Sequence, residues 1–229
     1  MKYKILDTYC GAGGASEGYF RAGFEVVGVD LFPQPHYPFE FRQADALEFI
    51  EQHGHEYDAI HASPPCQAHS TMTNGLWKDR LDGHPRLIEP TRELFRKLAI
   101  PYVIENVPGS PLINPFMLCG TMFKLGVNGS QLRRHRYFET NWLEGCDLFC
   151  EHIETKKYEN GRRIPSTIGV WGHAGGSSNR DNLVQFSTQD RKDAMGIQWM
   201  NGKELSEAIP PVYTEYIGRI LIKLLDILK

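Results

Sequence analysis

The stretch "YKILDTYCGAGGASEGYFRAGFEVVGVD", residues 3–30, decides the fold. "YKILDTY" reads as a short apolar strand ending in an acid, and "CGAGG" as a tight glycine turn. "ASEGYFRAGF" has a helical pattern, and "EVVGVD" is a second strand that also ends in an acid. A strand, a glycine turn and a helix leading into another strand make the repeating unit of a parallel sheet.

The unit repeats outward along the chain. "ADALEFIEQHG" is a helix stopped by glycine, "YDAIHAS" a strand, "RLIEPTRELFRKLAI" a helix that Pro90 could kink or divide, and "PYVIENV" a fourth strand. This alternation predicts an α/β fold, doubly wound, with a mainly parallel sheet covered on both faces. Residues 69–85 break the pattern with a Gly-, Thr-, Asn- and His-containing stretch that reads as a lid. Near the end of the chain, "AIPPVYTEYIGRILIKLLDILK" predicts a helix whose apolar stripe includes Tyr213, Tyr216, Ile217, Ile220, Leu221, Leu224, Leu225 and Leu228.

At 229 residues, with 41% hydrophobic and 23% charged residues, the chain is expected to form one domain. A formal net charge of −3 excludes a global basic field, so any nucleic-acid binding needs a local patch. Five cysteines form no disulfide-like framework, and neither a signal peptide nor a long apolar run is evident. A cytoplasmic protein with no membrane partner is therefore expected, as a monomer.

Open parallel sheets place their ligands at the carboxyl ends of the strands. Asp7, Asp30 and Asp45 each fall at such an end, and a carboxylate there can hold the hydroxyls or amine of a nucleoside. Gly11, Gly13 and Gly14 lie between the first strand and helix, where the backbone can approach a ligand closely. "SPPCQ", Ser63 to Gln67, sets Cys66 behind two prolines that restrict the backbone, which suits either a buried spacer or a positioned nucleophile. Glu105 and Asn106 close the fourth strand, where a carboxyl partly withdrawn from water can donate a proton. "QLRRHRYF" supplies Arg134 and Arg136, which strand-like alternation would send the same way.

In their order, "DTYCGAGG", "SPPCQ", "ENV" and "RHRYF" resemble the motifs of the cytosine-C5 DNA methyltransferases, with "STQDRKDAMGI" and "ELSEAIPPVYTEYIG" as weaker matches near the end. The resemblance covers roughly residues 3–138 and 186–220. It implies a class I S-adenosylmethionine-dependent methyltransferase fold and methyl transfer to C5 of a flipped-out cytosine in double-stranded DNA. By the same resemblance Cys66 adds to cytosine C6, Glu105 protonates N3, and Arg136 with Arg134 holds O2 and the neighbouring phosphate. S-adenosylmethionine would be bound by Asp7, Tyr9, Gly11, Gly13, Gly14, Asp30, Asp45, Pro65 and Glu207. Ser63, Gln67 and Asn106 would contact the target.

The catalytic domain is expected over residues 1–138 and 186–229, with a short target-recognition segment at 139–185. Its candidate readers, chosen by residue type, are Arg162, Arg163, Asn179 and Arg180. No endonuclease-like segment is fused on, so a restriction partner would be a separate chain.

Two departures from the family pattern stand out. The family's supporting glutamine falls on Leu132, with Gln131 one place early, and Ser206-Glu207 replaces a usual Gly-Asn pair, which could alter cofactor affinity or donor. Cys146, Cys150 and His152 could together hold zinc, but no fourth ligand is evident and structural zinc takes four, so no metal is expected. RNA methylation by a tRNA cytosine methyltransferase and non-catalytic DNA binding remain competing readings. Amino methylation at N4 or N6 is disfavoured by Cys66.

Overall fold

The computed structural model describes residues 2–65, 86–170 and 183–228. In chain order its elements begin with β1 (Lys4–Thr8), α1 (Gly14–Ala22), β2 (Glu25–Asp30), β3 (Glu40–Gln43) and α2 (Ala46–His53). Next come β4 (Ala59–Ala62), α3 (Ile88–Leu98), β5 (Tyr102–Asn106), β6 (Phe116–Leu118), β7 (Gly126–Val127) and β8 (Ser130–Gln131). The rest are β9 (Arg136–Thr140), β10 (Lys157–Glu159), β11 (Arg162–Ile164), α4 (Thr188–Met195), α5 (Gly202–Glu207) and α6 (Pro211–Leu228).

Seven described strands form one sheet in the order β3-β2-β1-β4-β5-β9-β6. The first five run parallel, and β9 and β6 add an antiparallel edge. Because Asn106 pairs with Tyr137, Arg136 lies one residue beyond the last β5 pairing. It therefore sits at the same sheet edge where the parallel strands end.

Alternation along the strands feeds two cores. Ile5, Val26, Val103 and Phe138 pack on one face with Tyr19 of α1 and Tyr213, Ile217 and Leu221 of α6. Leu6, Val27, Val29, Ile60 and Ile104 pack on the other with Ile50 of α2 and Phe95 of α3. Helix α1 meets α6 so closely that a Cβ at Gly18 would stand 2.0 Å from the Pro211 carbonyl oxygen. A third cluster, with Leu132, Val170, Met195, Ile197 and Leu205, joins the region after β7 to α4 and α5.

Three local expectations are corrected. Pro90 neither kinks nor divides α3, because it sits in the first turn, where a missing N–H costs no helical bond. The terminal stripe is buried at Tyr213, Ile217, Leu221 and Leu225, half-buried at Tyr216, Ile220 and Leu224, and exposed at Leu228 in the last turn. The strand expected through Arg134 starts only at Arg136. The lid reading of residues 69–85 lies outside the described residues.

A buried ion pair ties the antiparallel edge to the helices. Arg92 donates from Nε and Nη2 to the two carboxylate oxygens of Glu139, both at 2.7 Å. Glu139 also accepts from the Tyr102 hydroxyl at 3.2 Å and the Ile113 N–H at 2.8 Å. Every lone-pair direction of this buried carboxylate is thus engaged, which is the condition for keeping charge inside a core.

Candidate active site

A cavity of about 680 Å³ opens at the carboxyl edge of the parallel strands. That size falls within the roughly 300–1,000 Å³ of small-molecule pockets. Its walls come from the turn after β1, the ends of β2, β4 and β5, the start of β9, and residues 206–209 at the end of α5 and just beyond it.

The turn after β1 is shaped by backbone conformation. Tyr9 (φ 56), Gly11 (φ 48) and Gly13 (φ 86) are left-handed, which for the bulky Tyr9 is strained. Its hydroxyl is fixed against the Thr91 hydroxyl at 3.2 Å. The reversal lets Gly11 N–H donate to Asp30 Oδ2 at 3.0 Å, so the turn and the end of β2 are fastened together. Asp30 Oδ1 accepts from Phe32 N–H at 3.0 Å. Leu31 and Phe32, exposed and unnoticed in the sequence, line the cavity directly after this acid. Gly14 lines it too, whereas Gly13 does not and instead caps α1 beneath the Tyr37 ring.

Asp45 is both a cavity residue and a helix cap. Its Oδ1 accepts from Leu47 and Glu48 N–H at 2.9 and 3.1 Å, and Oδ2 makes no hydrogen bond among the described residues. Asp7 lies deeper and fully buried. Its Oδ2 accepts from the Ser16 hydroxyl, while Oδ1 has no hydrogen-bond partner among the described residues. Burial, with a smaller push from Asp30, raises this carboxyl to about 7, against the opposing Ser16 bond. A buried acceptor left unpaired at a cavity wall is a place for a ligand donor.

On the other side, Glu105 and Arg136 meet. Arg136 Nε stands 3.0 Å from Glu105 Oε1. Burial raises the Glu105 pKa, while Arg136, Ser63 and Arg134, in that order, hold it down. Ser63, Pro64 and Pro65 line the same wall. Asn106 fastens them, donating from Nδ2 to the Pro64 carbonyl at 2.9 Å and accepting from Val107 N–H and the Ser110 hydroxyl. With its oxygen so engaged, Asn106 shapes the loop before Cys66, and it lines the cavity beside Glu105.

Sequence reasoning missed His61. It is fully buried on β4, with Nδ1 2.9 Å from the Tyr19 hydroxyl and Nε2 2.9 Å from the Ser63 hydroxyl. Burial lowers it to about 3, so it is neutral. The only sequence signal was a polar residue inside the otherwise apolar "DAIHA".

Arg134 is also corrected. It is buried outside the cavity lining, and its guanidinium donates to the Val170 and Ser206 carbonyls at 2.6 and 2.7 Å. The strand begins only at Arg136, and the two arginines have different partners. Arg134 reaches Glu105 through charge alone.

Leu132 belongs to the core, and Gln131 Oε1 accepts from Ile153 N–H at 2.9 Å. Glu207, exposed at the end of α5, lines the cavity. Arg162 and Arg163 are exposed on the β10–β11 hairpin, away from the cavity walls. Cys66, Gln67, Asn179 and Arg180 lie outside the described residues.

The sheet order, the cavity at its carboxyl edge and the acids ending β1 and β2 define the class: this is the class I S-adenosylmethionine-dependent methyltransferase fold. The cavity fits that cofactor on its own chemistry, with two acids for a ribose and an amine, a glycine turn and the unpaired Asp7 oxygen.

Comparisons with known proteins bear on the family. Over 113 residues, 46% of the chain, it is 31% identical to the type II methyltransferase M.AplI of Arthrospira platensis. Over 125 residues it is 30% identical to M.AgeI of Thalassovita gelatinovora. The matches span only 31% and 28% of those relatives' lengths.

Among solved structures, a mutant of Spodoptera frugiperda DNMT2 superposes with a TM-score of 0.63 at 15% identity, covering 98% of this chain and 99% of that one. A prophage-encoded protein from E. coli, taken to be a DNA modification methyltransferase, gives 0.62 at 15%, covering 98% and 100%. At such identity the structures show the fold. No family model matches the chain. The type II likenesses and the shared fold together support the cytosine-C5 DNA methyltransferase family read from the motifs.

Proposed function

We propose that the protein methylates C5 of cytosine in DNA. The observation that carries this reading is the meeting of Glu105 and Arg136 on the cavity wall formed by Ser63, Pro64 and Pro65, the residues leading to Cys66. Asp7, Asp30, Asp45, Tyr9 and Gly11 form the opposite side. One half of the cavity suits a nucleoside cofactor and the other a planar base with a carbonyl and a ring nitrogen.

S-adenosylmethionine, when bound, supplies an electrophilic methyl group. Asp30 would hold its ribose hydroxyls, Asp45 its adenine amine, and Asp7 a donor of its methionine end. Leu31 and Phe32 would cover the purine.

In the proposed chemistry the Cys66 thiolate adds to cytosine C6, and the displaced ring electrons make C5 nucleophilic. Glu105 carries the proton for N3, because burial keeps its carboxyl protonated to higher pH than usual. Arg136 would steady O2 as charge moves through the ring. After methyl uptake, the C5 proton leaves to solvent, its bonding pair expels the Cys66 thiolate and N3 returns its proton to Glu105, restoring the aromatic ring. The target must leave the helix to reach so enclosed a wall, at a cost of about a few kcal/mol. Residues 139–185 would recognise the flanking sequence, with Arg162 and Arg163 on their exposed hairpin as readers.

A DNA duplex substituted with 5-fluorocytosine tests the covalent step, since fluorine cannot leave as the proton does. With cofactor present, wild type should be retained on the DNA in denaturing gels and Cys66→Ala released. Retention of the variant, or of neither protein, would overturn the proposed mechanism.

A further inference from the structure

Cys146, Cys150 and His152, which could have held zinc but lacked a fourth ligand, do not assemble. The Cys146 thiol lies 3.7 Å from the Met117 carbonyl and packs against the α6-side core. Cys119, immediately after β6, takes its place, and His135, immediately before β9, supplies the missing fourth group. Sγ of Cys119 and Cys150 and Nε2 of His135 and His152 all lie within 4.8 Å of one another.

The separations carry more information than the clustering. The two Nε2 atoms are 3.3 Å apart. Cys119 Sγ to His152 Nε2 and Cys150 Sγ to His135 Nε2 are both 3.5 Å, and Cys150 Sγ to His152 Nε2 is 3.2 Å. A tetrahedral zinc ion with Zn–S of about 2.3 Å and Zn–N of about 2.0–2.1 Å requires N–N edges of about 3.3 Å and S–N edges of about 3.5 Å. Hydrogen bonding alone gives no reason for two imidazole nitrogens and two thiols to converge on one point. The Thr121 hydroxyl adds a bond to Cys119 Sγ at 3.2 Å, the kind of outer support that orients a thiolate ligand.

We propose that Cys119, His135, Cys150 and His152 form a structural zinc site. Two thiols give up their protons to solvent on binding, so the two thiolates and two neutral imidazoles balance the Zn²⁺ charge. Four protein ligands leave no open position, so the site is structural rather than catalytic.

The position suggests its purpose. The ion joins the end of β6, the residue just before Arg136, and the 150–152 stretch of the proposed recognition segment. That stretch includes the exposed His152 and follows Phe149, which is 89% exposed. There the chain has little apolar area with which to hold itself, and polar contacts from Gln131, Arg133 and Ser166 to residues 153–155 are its ties just beyond the cluster. The zinc would fasten the base of this segment and steady the arginine motif from behind.

Metal analysis of untagged protein tests this. About one zinc per chain is expected, replaceable by Co²⁺ with the absorption of a tetrahedral thiolate site. His152→Ala, a change at an exposed ligand that spares the core, should lose stoichiometric metal and that spectrum. Cys146→Ser should keep both. A chain that takes up no zinc or cobalt would overturn the proposal, as would His152→Ala retaining an unchanged cobalt spectrum. Thiol titration of the unfolded, unreduced protein separates the remaining alternative. Five reactive thiols, matching its five cysteines, are expected, whereas two fewer, with Cys119 and Cys150 linked in a peptide map, would mean a disulfide and no metal site.

Discussion

Replacing Asp7 by asparagine removes one charge from the floor of the cavity while keeping shape and the Ser16 contact. Burial lifts the Asp7 carboxyl from its ordinary 3.8 to about 7. At about 1.4 kcal/mol for each tenfold change in proton affinity, ionising it in the cofactor-free fold costs up to about 4 kcal/mol. Its folded pKa is raised, so its favourable contribution is complete below the unfolded value of about 3.9 and disappears as pH climbs through about 7. Wild type should therefore lose stability relative to Asp7→Asn by a few kcal/mol between about pH 4 and about pH 7, and little further above that.

His61, lowered to about 3, acts in the opposite sense: its contribution is lost as pH falls. It is present in both proteins, so the difference between them isolates Asp7. Urea unfolding of the cofactor-free proteins across this range is the assay. Parallel stability profiles for the two proteins would refute the burial argument.

Other residues make further predictions. Glu139→Ala should cost about 2–4 kcal/mol in urea unfolding, because it leaves the buried Arg92 with only the exposed Glu89 carboxylate and the Pro111 carbonyl as partners; a loss under about 1 kcal/mol would show that water reaches the pair. Ser63→Ala removes a group that holds the Glu105 pKa down, so the alkaline limb of the rate profile should move to higher pH. A limb that stays or moves to lower pH would remove Glu105 as the proton donor.

How far the sequence could be read depended on whether a residue's partners lie near it in the chain. The parallel half was legible because each strand and helix carries its own period, and Asp7, Asp30 and Asp45 fall where those periods break. The exposed "EFRQ" of β3 has no apolar alternation, so it was not read as a strand. Strand β6, only three residues long, is defined by β9, its neighbour across an intervening stretch. Arg134 and Arg136 look equivalent because alternation assumes a continuous strand, and only the tertiary fold shows that strand pairing begins at Arg136. His61 and Cys119 were overlooked for a related reason. Each is a single residue in a plausible core segment, and its meaning comes from Ser63 and Tyr19, or from His135, Cys150 and His152, brought to it by folding.

The most direct test of the central claim is transfer of labelled methyl from S-adenosylmethionine to duplex DNA and to tRNA, with the modified base identified after digestion. Cys66→Ala and Glu105→Gln should be run in parallel. The account predicts label in DNA as 5-methylcytosine, abolished by the first variant and reduced at least about a hundredfold by the second. Label confined to tRNA, or recovered on an exocyclic amine, would contradict it.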